Sequence, residues 1–228
     1  MHCHATASKA QNAPAIFGIS SGETNAEARI AELFSSRLPV SHVLPDRAIL
    51  LHGEPADTLY QIVSGTVRCC TFSEDGVRQI FRFASAGDYL GFSDFETWHF
   101  TAEAVDHVIL RAIPRRRAEG AIARDPSLQL GLREMMCREL AARERHMFML
   151  AYMPAEDRLR RFLCGFAARR GAAGFTVLPM PRRDIADHIG LTVETVSRAF
   201  SSLKRKGEIE MRGCDRFRVV TEQTLLAA

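Results

Sequence analysis

The sequence predicts an α+β chain: an N-terminal antiparallel β-roll, then a long dimerisation helix, then a C-terminal winged helix-turn-helix. Three observations predict it. Between Leu38 and Ile113, short β-branched and aromatic runs alternate with glycine and aspartate turns. From Pro126 to Met153 the only glycine is Gly131 and there is no interior proline. Residues 182–201 have the spacing of two short helices crossing at a turn. The 228 residues are 46 % hydrophobic and 25 % charged, the proportions of an ordinary globular protein with room for a real core.

In chain order, residues 1–26 are rich in Ala, Ser, Asn and Gly without apolar periodicity and read as a flexible arm. Residues 27–125 read as the roll. Strands are expected at Ala48–His52, Thr58–Ser64, Thr66–Phe72, Arg78–Phe83 and Val108–Ile113, with turns at Gly53, Gly65, Asp75-Gly76 and Gly87-Asp88. Residues 126–153, rich in Leu, Met, Arg, Glu and Ala, form one helix. On it Met136, Leu140, Arg143, Met147 and Leu150 follow the 4-3-4-3 spacing of a coiled-coil seam interrupted by one polar residue. A long apolar stripe between two domains has few intrachain surfaces to cover it, so the seam predicts a homodimer. Pro154 ends the helix, and Glu156–Arg169 forms another with acidic residues at its positive end.

Residues 154–228 form the last domain. In the stretch RRDIADHIGLTVETVSRAFS, Ala186 allows close helix crossing, Gly190 makes the turn, and Ile185, Ile189, Leu191 and Val196 supply a small core. Thr192 is a natural N-cap for a second helix reaching Lys206. Val193, Glu194, Ser197 and Arg198 share its outward face, because positions i, i+3 and i+4 align. An arginine can donate twice to the O6/N7 edge of guanine, and a glutamate can accept from the N4 amine of cytosine. Thr192, Thr195, Lys204, Arg205, Lys206 and Arg216 are placed to meet phosphates. Glu208–Met211 and Arg216–Val220 read as a two-stranded wing.

Charge supports a polyanion as partner. The net charge is only +3, but residues 1–154 carry 16 basic and 18 acidic groups while residues 155–228 carry 14 and 9. The split is −2 against +5, with the excess on the reading head.

The chain resembles the CRP/FNR superfamily of bacterial transcription regulators over about residues 38–220. The residues that carry the likeness are Gly53-Glu54-Pro55-Ala56-Asp57-Thr58-Leu59-Tyr60-Gln61-Ile62-Val63-Ser64-Gly65, Gly87-Asp88-Tyr89-Leu90-Gly91-Phe92, the long helix, and Glu194-Thr195-Val196-Ser197-Arg198. Val193 and Ser197 stand where the cyclic-AMP branch usually has Arg and Gly, so the motif is similar to the FNR/FixK branch. The resemblance implies a roll of the cyclic-nucleotide-binding kind and an inverted repeat of TTGAT-like half-sites. Arg198 would read guanine, Glu194 the opposing strand, and Ser197 the outer thymines. It also implies contact with RNA polymerase, for which exposed loops such as Ser73–Gly76 are suited, and control of microaerobic or anaerobic respiration or nitrogen fixation.

No cofactor is expected. A cyclic nucleotide needs an Arg-Ser/Thr pair for its phosphate. Here Gly91-Phe92-Ser93-Asp94 and Trp98-His99 occupy that region, and Trp98, His99 and Phe100 should fill it themselves. An FNR-type iron–sulfur cluster needs clustered N-terminal thiolates, and the arm holds only Cys3. Cys69 and Cys70, adjacent on a strand, point to opposite faces and cannot easily chelate together. Met1-His2-Cys3-His4 could bind a metal, but a flexible terminal trio gives little preorganisation, so adventitious binding is expected. The alternative is a haem-dependent nitric oxide or carbon monoxide sensor, with His42, His52, His99, His107 and His146 as candidates by residue type. Cys164 reads as core. Cys214, among Arg212, Asp215 and Arg216, is a possible redox point, since guanidinium neighbours favour thiolate and a sulfinate would repel phosphate.

Other classes are disfavoured. A cupin-like enzyme would need an HxH or similar ligand pair, and none occurs between Ala48 and Ile113. The longest apolar run, Met147–Met153, is far short of the roughly 20 residues of a membrane span. No secretory signal precedes Gly18, and six irregularly spaced cysteines do not make a disulfide framework, so a cytoplasmic protein is expected.

Overall fold

The computed structural model describes residues 25–35, 37–92, 96–171 and 174–220. Most of the predicted arm, including Cys3 and its flanking histidines, lies outside them, as do Ser93 and Asp94. The arm's boundary is corrected at its end, because Asn25 already begins α1 (Asn25–Leu33). Its Ala, Glu and Leu residues are strong helix formers, and Ile30 is buried one turn before Phe34.

The roll consists of two four-stranded antiparallel sheets. One is ordered β1 (Val40–Val43), β8 (Val108–Pro114), β3 (Thr58–Ser64), β6 (Tyr89–Leu90). The other is ordered β2 (Ala48–Leu50), β7 (Thr101–Ala104), β4 (Thr66–Phe72), β5 (Arg78–Ser85). Gly65 connects β3 to β4 with φ 91°, and a Cβ there would lie 2.6 Å from the His107 carbonyl oxygen, so only glycine fits. The roll core holds Ile62, Val67, Cys69, Leu90, Trp98, Phe100 and Leu110.

β4 is buried on both faces. Cys69 faces the roll core while Cys70 belongs to a second core, which continues into the C-terminal domain. The opposite pointing of the two thiols is therefore realised, and burial raises them to about 12 and about 11. A register shift between Cys69 and Cys70 bulges the β4–β5 ladder.

After α2 (Arg115–Ile122), Asp125 caps α3 (Pro126–Tyr152) by accepting from the Ser127 amide at 2.8 Å, with proline at the start where its missing N–H costs nothing. The end at Tyr152 agrees with the break expected at Pro154. The C-terminal domain follows as α4 (Ala155–Arg169), β9 (Thr176–Val177), α5 (Arg182–Ile189), α6 (Val193–Arg205), β10 (Ile209–Arg212) and β11 (Arg216–Val219). Its three-stranded sheet is ordered β10-β11-β9. Leu159, Leu163, Ile185, Ile189, Val196 and Leu203 form its core, which is continuous with Ile80 and Phe83 of the roll. Cys164 is buried there, its thiol raised to about 11 by burial.

Candidate nucleic-acid interface

Helix α5 ends because Gly190 turns left-handed (φ 65°, ψ 46°), and the amides of Gly190 and Leu191 close onto the Ala186 carbonyl. Ala186 is buried in the crossing with α6. Thr192 caps α6, its Oγ1 accepting from the Thr195 amide at 3.2 Å. Val196, Ala199, Phe200 and Leu203 face inward, leaving Val193, Glu194, Ser197, Arg198, Ser201 and Lys204 outward.

The exposed groups are already partly ordered. Arg198 Nη2 donates to Thr195 Oγ1 at 3.3 Å, which itself lies 3.1 Å from Thr192 Oγ1. The two threonine hydroxyls thus serve the cap and the arginine. Ser197 Oγ donates to the Val193 carbonyl at 2.9 Å, so it offers outward only lone pairs and a methylene suited to a thymine methyl. The Glu194 carboxyl is held below the usual carboxylate range by its own backbone N–H and the Thr192 hydroxyl, with Arg198 adding to the effect. An ionised acceptor and a guanidinium therefore stand side by side at the helix start.

The basic set is smaller than the sequence suggests. Lys206 is ion-paired with Glu156 of α4, so this half-exposed ammonium is not an unpaired cation in the chain by itself. Arg212 and Arg218 stack on Phe175, and Arg218 also pairs with Glu210 at 2.8 Å. Lys204, Arg205 and Arg216 are exposed with no ion pair among the described residues. Sequence reasoning missed Arg182. Its guanidinium lies 3.1 Å from the centre of the Phe200 ring, and Nη2 donates to the Cys214 carbonyl at 3.4 Å. It ties the start of α5 to the exposed wing turn that carries Cys214. Burial lowers it to about 10, and Nη1 is buried without a partner.

Along α3, Met136, Leu140 and Met147 are exposed, together with Phe148 and Tyr152. Arg143 also reaches the surface, while its guanidinium sits over Phe81 of the roll at 5.2 Å and bonds Glu139 at 3.3 Å. Leu150 departs from the predicted stripe: it packs against the C-terminal core, in line with Gly190. A straight helix drifts about 20° per heptad off a seven-residue repeat, so the stripe has turned by about 40° between Met136 and Leu150.

In the roll, Trp98 and Phe100 are buried as expected, but His99 is on the surface. The Trp98 ring is wedged against Gly91, where a Cβ would meet it at 2.9 Å. Arg115 lies over that ring at 5.7 Å and donates to the Gly91 carbonyl at 3.0 Å, so this arginine closes the space. Of the haem candidates, His42 and His107 pair at the roll surface with rings 5.3 Å apart, and His146 stacks on buried His188 at 4.4 Å. None of the five lines the open cleft of about 720 Å³ formed by Pro55, Asp57, Glu96, Pro114, Arg115 and Glu119. No helix among the described residues is long and apolar enough to cross a membrane.

A roll that carries a capped reading helix on a long exposed helix defines a transcription regulator with a DNA-binding helix-turn-helix. Residues 157–228 match the Crp-like helix-turn-helix domain, and residues 40–125 match the cyclic nucleotide-binding domain. The transcriptional activatory protein AadR of Rhodopseudomonas palustris is 34 % identical over 166 residues, covering 71 % of this chain and 70 % of its own. The nitrogen fixation regulation protein FixK of Azorhizobium caulinodans is 36 % identical over 161 residues, covering 68 % of this chain and 65 % of its own. The structure of FixK2 from Bradyrhizobium japonicum superposes with a TM-score of 0.79 at 35 % identity, covering 83 % of this chain and 96 % of that one. The chain belongs to the CRP/FNR superfamily, among its FixK-type regulators, and is not an enzyme.

Proposed function

We propose that this chain is a cytoplasmic, homodimeric activator that reads an inverted repeat of TTGAT-like half-sites. It would act without an iron–sulfur cluster, cyclic AMP or haem, on genes of microaerobic or anaerobic respiration or nitrogen fixation. The names of its relatives, a transcriptional activatory protein and a nitrogen fixation regulator, support that range. The observation that carries the reading is the outward triplet Glu194, Ser197 and Arg198 at the capped N-terminus of α6, ordered within the helix and clear of the core. Met136, Leu140, Arg143 and Met147 supply the dimer seam, and the Ser73–Gly76 hairpin, flanked by exposed Phe72 and Val77, is offered to RNA polymerase. Cys214 is free and exposed at the wing, where peroxide would oxidise its sulfur to a sulfinate beside a DNA phosphate.

Binding to duplexes carrying single base changes tests the docking. Arg198→Ala should lose discrimination at the guanine position, at a cost of about 1–3 kcal/mol. Lys204→Ala should weaken all duplexes alike. Unchanged base preference in the arginine variant refutes the docking. Peroxide should impair wild type but spare Cys214→Ser; equal loss in both removes the cysteine from the account. A Soret band in anaerobically purified protein would overturn the ligand-free reading.

A further inference from the structure

The scaffold helix α5 is fastened to the roll by charge. Asp184 is its third residue, where an acidic side chain ordinarily serves the helix N-terminus. Here the carboxylate is buried and both oxygens leave the domain. Oδ2 accepts from Arg68 Nη1 at 2.9 Å, and Oδ1 accepts from Arg78 Nη2 at 2.5 Å. Arg68 spends its other nitrogens on Glu103 at 2.7 Å and on Asp46 at 2.9 Å. Asp46 has φ 60°, the sole positive φ at a non-glycine among the described residues, so a strained turn holds that carboxylate in place. Arg78 Nε reaches Asp187 at 2.8 Å, and Gln79 Nε2 donates to the Asp187 carbonyl at 2.7 Å.

The same roll is fixed to the seam helix. Arg82 pairs with Glu139 of α3 at 3.3 Å, and Arg143 of α3 covers Phe81. A continuous rigid path therefore runs from α3 through β5 and the Asp184 cluster to α5, and α5 shares its core with the reading helix. Beside the cluster, the head is held to the roll by the shared apolar core, the Arg169–Asp88 pair and the His188 bond to Ile80, but among the described residues only the cluster clamps the first turn of α5. Two heads that read half-sites about one helical turn (~34 Å) apart need a fixed separation. Heads on loose joints read each half-site but measure nothing between them.

The geometry points to Asp184 as the positioning residue that sets which half-site spacing this regulator accepts, acting through Arg68 and Arg78. This rests on the DNA reading proposed above. Asp184 is buried and turned to the roll through Arg68 and Arg78, so its effect passes through helix orientation.

The test is binding of the full-length dimer to inverted TTGAT-like repeats whose spacer is lengthened or shortened by single base pairs. Wild type should prefer one spacer by about thirtyfold or more, whereas Asp184→Asn and Arg78→Gln should bind all spacers within about threefold, with single-base preferences inside each half-site unchanged. A merely destabilised domain would weaken every duplex equally and leave the spacer profile intact. Arg78 lies on the roll, so that variant carries the test if Asp184→Asn does not fold. Variants that retain the wild-type spacer profile overturn the proposal and leave the DNA reading standing. Wild type that binds specifically at every spacer alike also overturns it. Wild type that binds no repeat specifically removes both.

Discussion

His188 shows what one side chain on the scaffold helix contributes. Its Nδ1–H donates to the Ile80 carbonyl of β5 at 2.9 Å, and its ring is enclosed by Phe83, Phe162 and the stacked His146 of α3. Burial, and secondarily His146, lower it to about 3 from 6.5, against the opposing bond to Ile80. His146 is lowered by burial as well, and its Nε2 is buried without a partner. The docked state thus binds fewer protons than the undocked or unfolded one. Its stability is complete above about pH 6.5 and is lost as pH falls from there towards about 3. Each pH unit in that window costs about 1.4 kcal/mol through His188 alone. Denaturant midpoints should therefore fall between pH 7 and pH 5.5, and His188→Phe, which keeps a ring in the cage, should flatten that dependence. A profile as steep in the variant as in wild type would assign the effect elsewhere.

Among the elements, α3 carries the firmest consequence. Met136, Leu140 and Met147 line a surface that the described residues leave uncovered, at 46 %, 59 % and 68 % exposure. Leu140→Glu and Met147→Glu bury no new charge in a monomer but place one in a dimer seam, where an unpaired charge costs several kcal/mol. Light scattering should show the mass of each variant fall towards the 25.4 kDa of one chain, with helix content unchanged. The same helix was legible in the sequence to within a residue of its ends, as were Thr58–Ser64 and Thr66–Phe72, because long periodic runs bounded by Pro or Gly leave little choice. The short strands were not legible. Tyr89–Leu90 and Thr176–Val177 have two residues each, and Thr101–Ala104 reads as neutral TAEA; none has a period to detect. Their strand state is imposed by the neighbours they pair with. In the site, the cap, the turn glycine and the outward triplet were readable as local chemistry. The ion pair of Lys206 with Glu156 and the stacking of Arg182 on Phe200 join residues distant in sequence, which no spacing rule reaches.

For the whole molecule, the asymmetry of −2 and +5 is real but only part of it faces outward. Arg158 donates to the carbonyls of Met153, Ile189 and Gly190, Arg160 pairs with Asp157 and Glu208, and Arg169 with Asp88 of the roll. Arginines counted towards the reading head are thus spent inside it, and Arg158 at Met153 and Arg169 at Asp88 on holding it to the body. Apolar contact follows the same line, since Cys70, Ile80, Phe83 and Val105 of the roll share one core with Phe162, Ile185 and Ile189. Two domains with a common core and a buried ion cluster unfold together, unlike domains joined by a linker. Calorimetry of wild type should show one transition. Phe83→Ala removes the ring that contacts Phe162 and His188, at a cost of about 3–5 kcal/mol. Because Phe83 belongs to the joint rather than to the separate roll core, that loss falls on docking, and the single transition should split in two. Two transitions in wild type, or one transition merely shifted in the variant, would mean that the shared core does not couple the domains.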